Sequence, residues 1–164
     1  MSERHDGVPG RIVSGGQTGA DRAALDVARE LGITTGGWVP RGRRAEDGPI
    51  PARYLGLVET ESDDYADRTD RNVRDADATL VLCFGPPTGG TALTVRRARS
   101  RGRPLLVLDL EATSAASAAA ALRAWLAAER PAVLNVAGPR LSSEPRIAEA
   151  TAALLRAALG AREG

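Results

Sequence analysis

A chain of 164 residues with 43% hydrophobic content can bury one substantial core without crosslinks, and its single cysteine, Cys83, excludes a disulfide framework and any multi-cysteine zinc or iron–sulfur site. A formal charge of +1 excludes duplex nucleic-acid binding by bulk electrostatics. All 22 basic residues are arginine, so no phosphate-loop, Schiff-base or general-base lysine is available, and a P-loop NTPase is excluded.

Residues 1–10 read as a disordered arm that ends in the turn signal Gly7-Val8-Pro9-Gly10 and holds the only histidine, His5. The arm lacks the apolar segment of a signal peptide and no run in the chain approaches membrane-spanning length, so the expected location is cytoplasmic and no membrane partner is expected. Residues 11–164 read as a single ligand-binding domain. Aromatic residues make up only 3%, so its core must be aliphatic and alanine-rich.

The first strand is short, 11–14, and runs into Ser14-Gly15-Gly16-Gln17-Thr18-Gly19-Ala20-Asp21. A strand, a turn with three glycines and two hydroxyls, and a helix start make an anion-binding loop, because the first helical N–H groups and the positive end of the dipole face the turn. The plainer reading is a turn that needs glycine for its shape. Asp21 at the helix start is explained by the dipole. Ala23, Ala24, Val27, Ala28 and Leu31 follow at helical spacing, and Gly32 stops the helix.

A second strand, 33–39, is interrupted by Gly36 and Gly37 and leads into a loop over 40–51 that is expected to stay out of the core. A dinucleotide-binding domain would place an acidic residue near this strand's end to hold ribose hydroxyls. Trp38-Val39-Pro40-Arg41 stands there instead, and the first loop reads G-G-x-x-G, so ordinary NAD binding is discounted. Arg41, Arg43 and Arg44 suit further anionic groups. Residues 55–60 read as an edge strand. Ser62 or Asp63 caps the next helix, where Tyr65, Thr69, Val73 and Ala76 share one face and Arg68, Asn72 and Asp75 fall on a neighbouring one, able to converge.

The continuous apolar run 79–84 predicts a central parallel strand covered on both faces. It ends in a second glycine-rich turn, Gly85-Pro86-Pro87-Thr88-Gly89-Gly90-Thr91, before a helix with Ala92, Val95 and Ala98 inward. Two such turns after two parallel strands would share the carboxyl edge of one sheet, where open α/β folds bind ligands. Cys83 is expected to be a small buried hydrophobe. A strand over 104–110, a helix from Thr113 or Ser114 to Pro131 with Ala118, Ala121, Leu122, Trp125 and Leu126 inward, a strand over 132–137, a loop over 138–143 and a closing helix complete the alternation. In that last helix Ile147, Ala150, Leu154 and Ala158 face inward. The fold class is therefore α/β, a single Rossmann-like, doubly wound and mainly parallel sheet with helices on both faces.

Four separated blocks, SGGQTGADRAALD at 14–26, GGWVPRGRRAEDGPIP at 36–51, YADRTDRNVRDAD at 65–77 and GPPTGGTALT at 85–94, resemble the molybdenum-carrier family. That family lies within the SLOG superfamily of Rossmann-like domains, which also holds the lysine-decarboxylase-like LOG proteins. The resemblance implies a Rossmannoid fold that often forms homo-oligomers, dimers or tetramers. It also implies binding of intact molybdenum cofactor, a pterin dithiolene with a terminal phosphate, with molybdoenzymes as further partners. Residues Gly15, Gly16, Thr18 and Gly19 would take one anionic group, and Thr88, Gly89, Gly90 and Thr91 another. Arg41 or Arg44 would contact the ligand from the loop, and Trp38 would stack on a flat pterin or purine or else pack at a strand end. Ser14, Gln17, Asp21, Arg68, Asn72 and Gly85 complete the candidate binding set.

LOG proteins instead hydrolyse nucleoside monophosphates with a glutamate shortly after a P-G-G-x-G-T turn. Here Pro87-Thr88-Gly89-Gly90-Thr91 is followed by Ala92, Leu93, Thr94, Val95, Arg96 and Arg97, without a carboxylate. The expectation is a non-catalytic carrier of molybdenum cofactor or a related phosphorylated pterin or nucleotide, with no metal-ligating side chains. The alternative is a sensor or hydrolase of a nucleotide derivative such as ADP-ribose, with a carboxylate drawn from Asp21, Glu46, Asp47 or Asp75.

Overall fold

The computed structural model describes residues 7–160; the first six positions of the expected arm, His5 among them, and the last four of the chain lie outside the described residues. The elements run β1 (Arg11–Val13), α1 (Ala20–Glu30), β2 (Thr34–Val39), β3 (Arg44–Ala45), β4 (Gly48–Pro49), β5 (Leu57–Glu59), α2 (Tyr65–Asp75), β6 (Ala78–Cys83), α3 (Gly89–Ser100), β7 (Leu105–Asp109), α4 (Ala115–Glu129), β8 (Val133–Ala137) and α5 (Ile147–Leu159). Six strands pair in the order β5-β2-β1-β8-β6-β7, every pair parallel. All six residues of β6 are buried, as its unbroken apolar run requires of a strand covered on both faces. The expected doubly wound α/β fold is present.

Helix α5 packs between α1 and α4, and α2 packs on α3, so the sheet carries two helical layers. The main core fills the α1/α4/α5 side, where Ile12, Leu80, Leu82, Leu134 and Val136 meet Val27, Leu122, Leu126, Ile147 and Leu155. Each such fully buried side chain contributes roughly 1.5–3 kcal/mol, and the alanines of α1 and α4 let the helices approach closely. Because strand side chains alternate, Thr79 and Asn135 turn to the α2/α3 side, where Asn135 Nδ2 donates to Thr79 Oγ1 at 3.4 Å. The buried residues of α2 are Thr69, Asn72 and Val73, and those of α3 are Thr91, Thr94, Val95 and Ala98. This second layer is polar where the first is aliphatic.

Several boundaries and inward positions differ from the sequence expectation. Residues 40–51 include a short antiparallel hairpin, β3 with β4, and Ile50 is buried in a small cluster with Leu25, Val39 and Tyr54, so this stretch does supply core. The edge strand is confined to β5, and Leu55 is exposed. Helix α2 is capped by Asp64, whose carboxylate accepts from the Ala66 amide at 2.9 Å. In α4, Ala119 is buried and Ala121 is exposed, a shift of the buried face by a fraction of a turn that uniform alanine content could not reveal. Val8, placed in the arm by sequence, packs against the main core.

Candidate functional site

The chain leaves β1 through α1 on one face and moves toward β5; it leaves β6 through α3 on the other face and moves toward β7. A constant crossover hand requires this, and it opens a crevice between the two departures, above the carboxyl end of β8. A cleft of about 230 Å³ lies there. Its walls are the first glycine loop, the first turns of α2 and α3, and the loop that follows β8.

The first glycine loop is anchored inside the chain. Ser14 Oγ donates to the Asp21 carbonyl at 3.0 Å and accepts from the Gly16 amide at 3.3 Å. The Gln17 amide donates to Asp21 Oδ2 at 3.3 Å, and the Gly15 amide also serves the Asp21 carboxylate. Thr18 N–H donates to Gln17 Oε1 at 3.1 Å. Gly19 must be glycine: its φ is +87°, and a Cβ would stand 2.4 Å from the Pro139 carbonyl. The loop thus already cradles one carboxylate, the chain's own, and it presents Gln17 and Asp21 to the cleft.

Helix α3 meets the cleft differently. Thr88 is its N-cap and makes no side-chain cap bond, and its first turn holds no acidic residue. The Thr91 and Ala92 amides donate to the Thr88 carbonyl, which leaves the amides of Gly89 and Gly90 as the helix donors at the mouth. A Cβ on Gly90 would meet nothing within 4 Å. Nothing among the described residues demands a glycine there, and its bareness exposes the positive end of the helix to the cleft.

Arg68 reaches from α2 across the first loop. A Cβ on Gly15 would fall 1.7 Å from its Nη1, so that glycine is what lets the guanidinium lie where it does. Nη1 is 3.5 Å from Asp21 Oδ2, the Tyr65 ring lies 5.6 Å below the guanidinium carbon, and the buried Nε has no hydrogen-bond partner among the described residues. Burial raises the pKa of Asp21 from 3.8 to about 6, against the opposing pull of Arg68. Arg140 and Ser143 join the same cleft from the loop after β8. The arrangement offers two guanidinium groups, bare helix amides and a carboxyl group able to change protonation near neutral pH.

The β3–β4 hairpin closes over the outer side of the first loop. The carboxylate of Glu46 accepts hydrogen bonds from the hydroxyls of Thr18 and Ser142, and one from the Ser142 amide at 3.2 Å. These bonds, Ser142 first, hold its pKa below the usual range. Beside it Asp47 forms a two-pronged pair with Arg22, at 2.6 and 2.8 Å.

Of the residues singled out by sequence, Gln17, Asp21, Arg68, Thr88, Gly89, Gly90 and Thr91 line the one cleft. Others lie elsewhere. Trp38 Nε1 donates to Asp75 at 2.8 Å and its ring carries Arg71 at 4.9 Å; Asn72 grips the backbone of Trp38, accepting its N–H at 2.7 Å and donating to its carbonyl at 3.0 Å. Both border a separate hollow with Arg11 and Val58. Asn72 and Asp75 therefore converge on Trp38, whereas Arg68 turns away to Asp21 and the first glycine loop. Arg41 is exposed, Arg44 pairs with Asp63 at 3.4 Å, and the Gly85 amide is taken by Asp109 at 2.8 Å. Sequence reasoning missed Arg140, Ser142 and Ser143. Their signal was the Gly138-Pro139 turn after a strand, but only the strand order puts that turn between the two glycine loops. Cys83 is buried, and its thiol donates to the Leu108 carbonyl at 3.6 Å. Among the described residues no group of three or more His, Cys, Asp and Glu can hold a metal ion, and no helix is long and apolar enough to cross a membrane.

A search of the curated proteins gives no match. A solved structure that the chain resembles is a "putative molybdenum carrier protein" from Syntrophus aciditrophicus SB, determined at 1.45 Å resolution. The two share 45% sequence identity and a TM-score of 0.91, over 93% of this chain and 96% of that one. A family profile described as the circularly permutated YpsA SLOG family matches residues 12–159. With a match over that span and a doubly wound parallel sheet to accompany it, the chain belongs to the circularly permuted YpsA branch of the SLOG proteins.

Proposed function

We propose that the protein binds and carries a phosphorylated flat-ring ligand of the pterin or purine class, with molybdenum cofactor as the first candidate cargo. The observation that carries this reading is the bare start of α3, whose Gly89 and Gly90 open into the same cleft as Arg68 and Arg140. A phosphate there would meet helix amides, the Thr88 and Thr91 hydroxyls and the unpartnered Nε of Arg68. Hydrogen bonds to a charged group contribute roughly 1.5–3 kcal/mol each, so a handful reaches micromolar affinity after the cost of association. The residues present fit the cofactor in that respect: phosphate donors are in place, and the molybdenum of such a cargo is held by the pterin's own dithiolene sulfurs. The name of the Syntrophus neighbour supports the choice of cargo.

The test is native mass spectrometry with metal analysis after anaerobic incubation with released cofactor, run in parallel with AMP. A bound pterin mass with molybdenum in proportion, lost in Arg140→Ala, supports the carrier reading. Binding of AMP alone would replace the pterin with a purine, and binding of neither would reject the reading.

A second reading rests on Asp21. Of the four carboxylates open to a hydrolytic role, Glu46, Asp47 and Asp75 are bonded away from the cleft, and Asp21 alone borders it. A carboxyl group with a pKa of about 6 beside an arginine suits general acid–base work on a nucleotide. If the protein turns nucleotides over, Asp21→Asn abolishes the rate and spares affinity; a loss of affinity alone places Asp21 in binding.

A further inference from the structure

We infer that the pocket filled by the Glu46 carboxylate is a second anion subsite, which opens when the β3–β4 hairpin swings outward and receives the second anionic group of a diphosphate-type ligand. The inference rests on the proposed function for where the first anionic group sits, at the start of α3.

Three donors meet at Glu46, the Thr18 hydroxyl, the Ser142 hydroxyl and the Ser142 amide. They come from two different loops at the carboxyl edge of the sheet. An ionised carboxylate only accepts, so both hydroxyl protons must point into the pocket. The Leu141 amide donates to Thr18 Oγ1 at 3.2 Å, which fixes that hydroxyl as a donor toward Glu46. Arg140 adds an attractive field. These donors would receive a phosphoryl oxygen without rearrangement.

The pocket and the cleft share a wall. Gln17 lines the cleft and its Oε1 accepts from the Glu46 amide at 2.9 Å; Arg140 lines the cleft too. Removal of Glu46 would therefore extend one continuous polar surface from the start of α3 to Thr18.

The hairpin is built to let its tip go. Arg44, Glu46, Asp47 and Pro49 are exposed, and only Ala45 leans on the small apolar cluster. The base is held separately, by the buried Ile50 and by Arg43, which donates to the carbonyls of Ile50 and Pro51 at 3.0 and 2.9 Å. Opening breaks the Arg22–Asp47 pair and frees a guanidinium that is only 12% exposed to meet the incoming charge. Glu46 thus acts as an internal competitor that weakens ligands carrying two anionic groups relative to those carrying one.

Calorimetric titration of wild type, Glu46→Gln and Glu46→Ala with inorganic phosphate and with pyrophosphate tests this. Glu46→Ala is expected to raise the pyrophosphate-to-phosphate affinity ratio at least tenfold, with a smaller rise in Glu46→Gln, which keeps hydrogen bonding and loses the charge. The gain should vanish when Ser142→Ala is added to Glu46→Ala. An unchanged ratio, or a gain that survives Ser142→Ala, overturns the inference. Failure of the parent reading shows separately, as phosphate binding to wild type that is absent or indifferent to Gly90→Ala. In that case the Ser142-dependent gain in Glu46→Ala is read from the pyrophosphate affinity alone.

Discussion

Asp21 is 3% exposed and shares one oxygen between the Gln17 amide and Arg68, so two influences oppose each other there. Burial penalises the charged form, and the arginine and amides favour it. Burial prevails, and the pKa rises from 3.8 to about 6. The sign of the stability effect follows. Below the unfolded pKa the group is protonated in both states; as pH climbs toward 6 the unfolded chain ionises first, so unfolding gains and stability falls through that window before levelling. The full drop is about 3 kcal/mol. Glu144 and Asp75, each held at about 2 by its arginine neighbour, slope the opposite way, so the prediction concerns a difference. Urea unfolding of wild type and Asp21→Asn between pH 3.5 and 7 should give a wild-type-minus-variant stability that declines toward pH 6 and is flat above it. A difference that does not vary with pH would show that Asp21 titrates in the fold as it does in the unfolded chain.

At the scale of the element, α3 and α2 separate two meanings of a polar residue. Gly90 has free space where its Cβ would stand, and alanine is the better helix former by up to about 1 kcal/mol. Gly90→Ala is therefore expected to leave the melting temperature unchanged or raised while weakening phosphate binding at least tenfold. Weakened folding, or full binding, would remove α3 from the site. Asn72 is the converse. Its amide pairs with both backbone groups of Trp38 and ties α2 to β2, so Asn72→Ala should cost about 2–4 kcal/mol, the loss of two buried hydrogen bonds, with ligand affinity in the folded protein unchanged. Sequence placed Asn72 and Arg68 together because residues four apart share a helix face. They do share it, but the face spans two destinations, the Trp38 backbone and the first glycine loop, and only the packing angle of α2 on the sheet assigns them.

Across the whole molecule, what was readable was whatever periodicity and turn chemistry encode: the alternation of strands and helices, the buried β6, and two glycine turns at one sheet edge. Strand order was not readable, because β8 reaches its place between β1 and β6 by passing over β6, and no local signal specifies that step. The contribution of Arg140 and Ser142 was hidden with it. The same topology leaves the molecule unevenly stabilised. The α1/α4/α5 layer buries large aliphatic side chains, and α5 alone contributes Ile147, Leu154, Leu155 and Leu159. The α2/α3 layer rests largely on threonines, Asn72 and two valines. Local opening should begin in the layer with less apolar burial, which is also the layer that forms one wall of the cleft. A ligand bridging α2, α3 and the loops from β1 and β8 must close that opening. At a hundredfold excess over its dissociation constant it stabilises the closed form by about 2.7 kcal/mol, near a hundredfold in the opening equilibrium. Amide hydrogen exchange should therefore show α2 and α3 exchanging ahead of α5 in the free protein, and slowing by about a hundredfold with ligand. Equal protection of both layers in the free protein would contradict the uneven packing, and slowing confined to α1 would move the ligand to the first glycine loop alone.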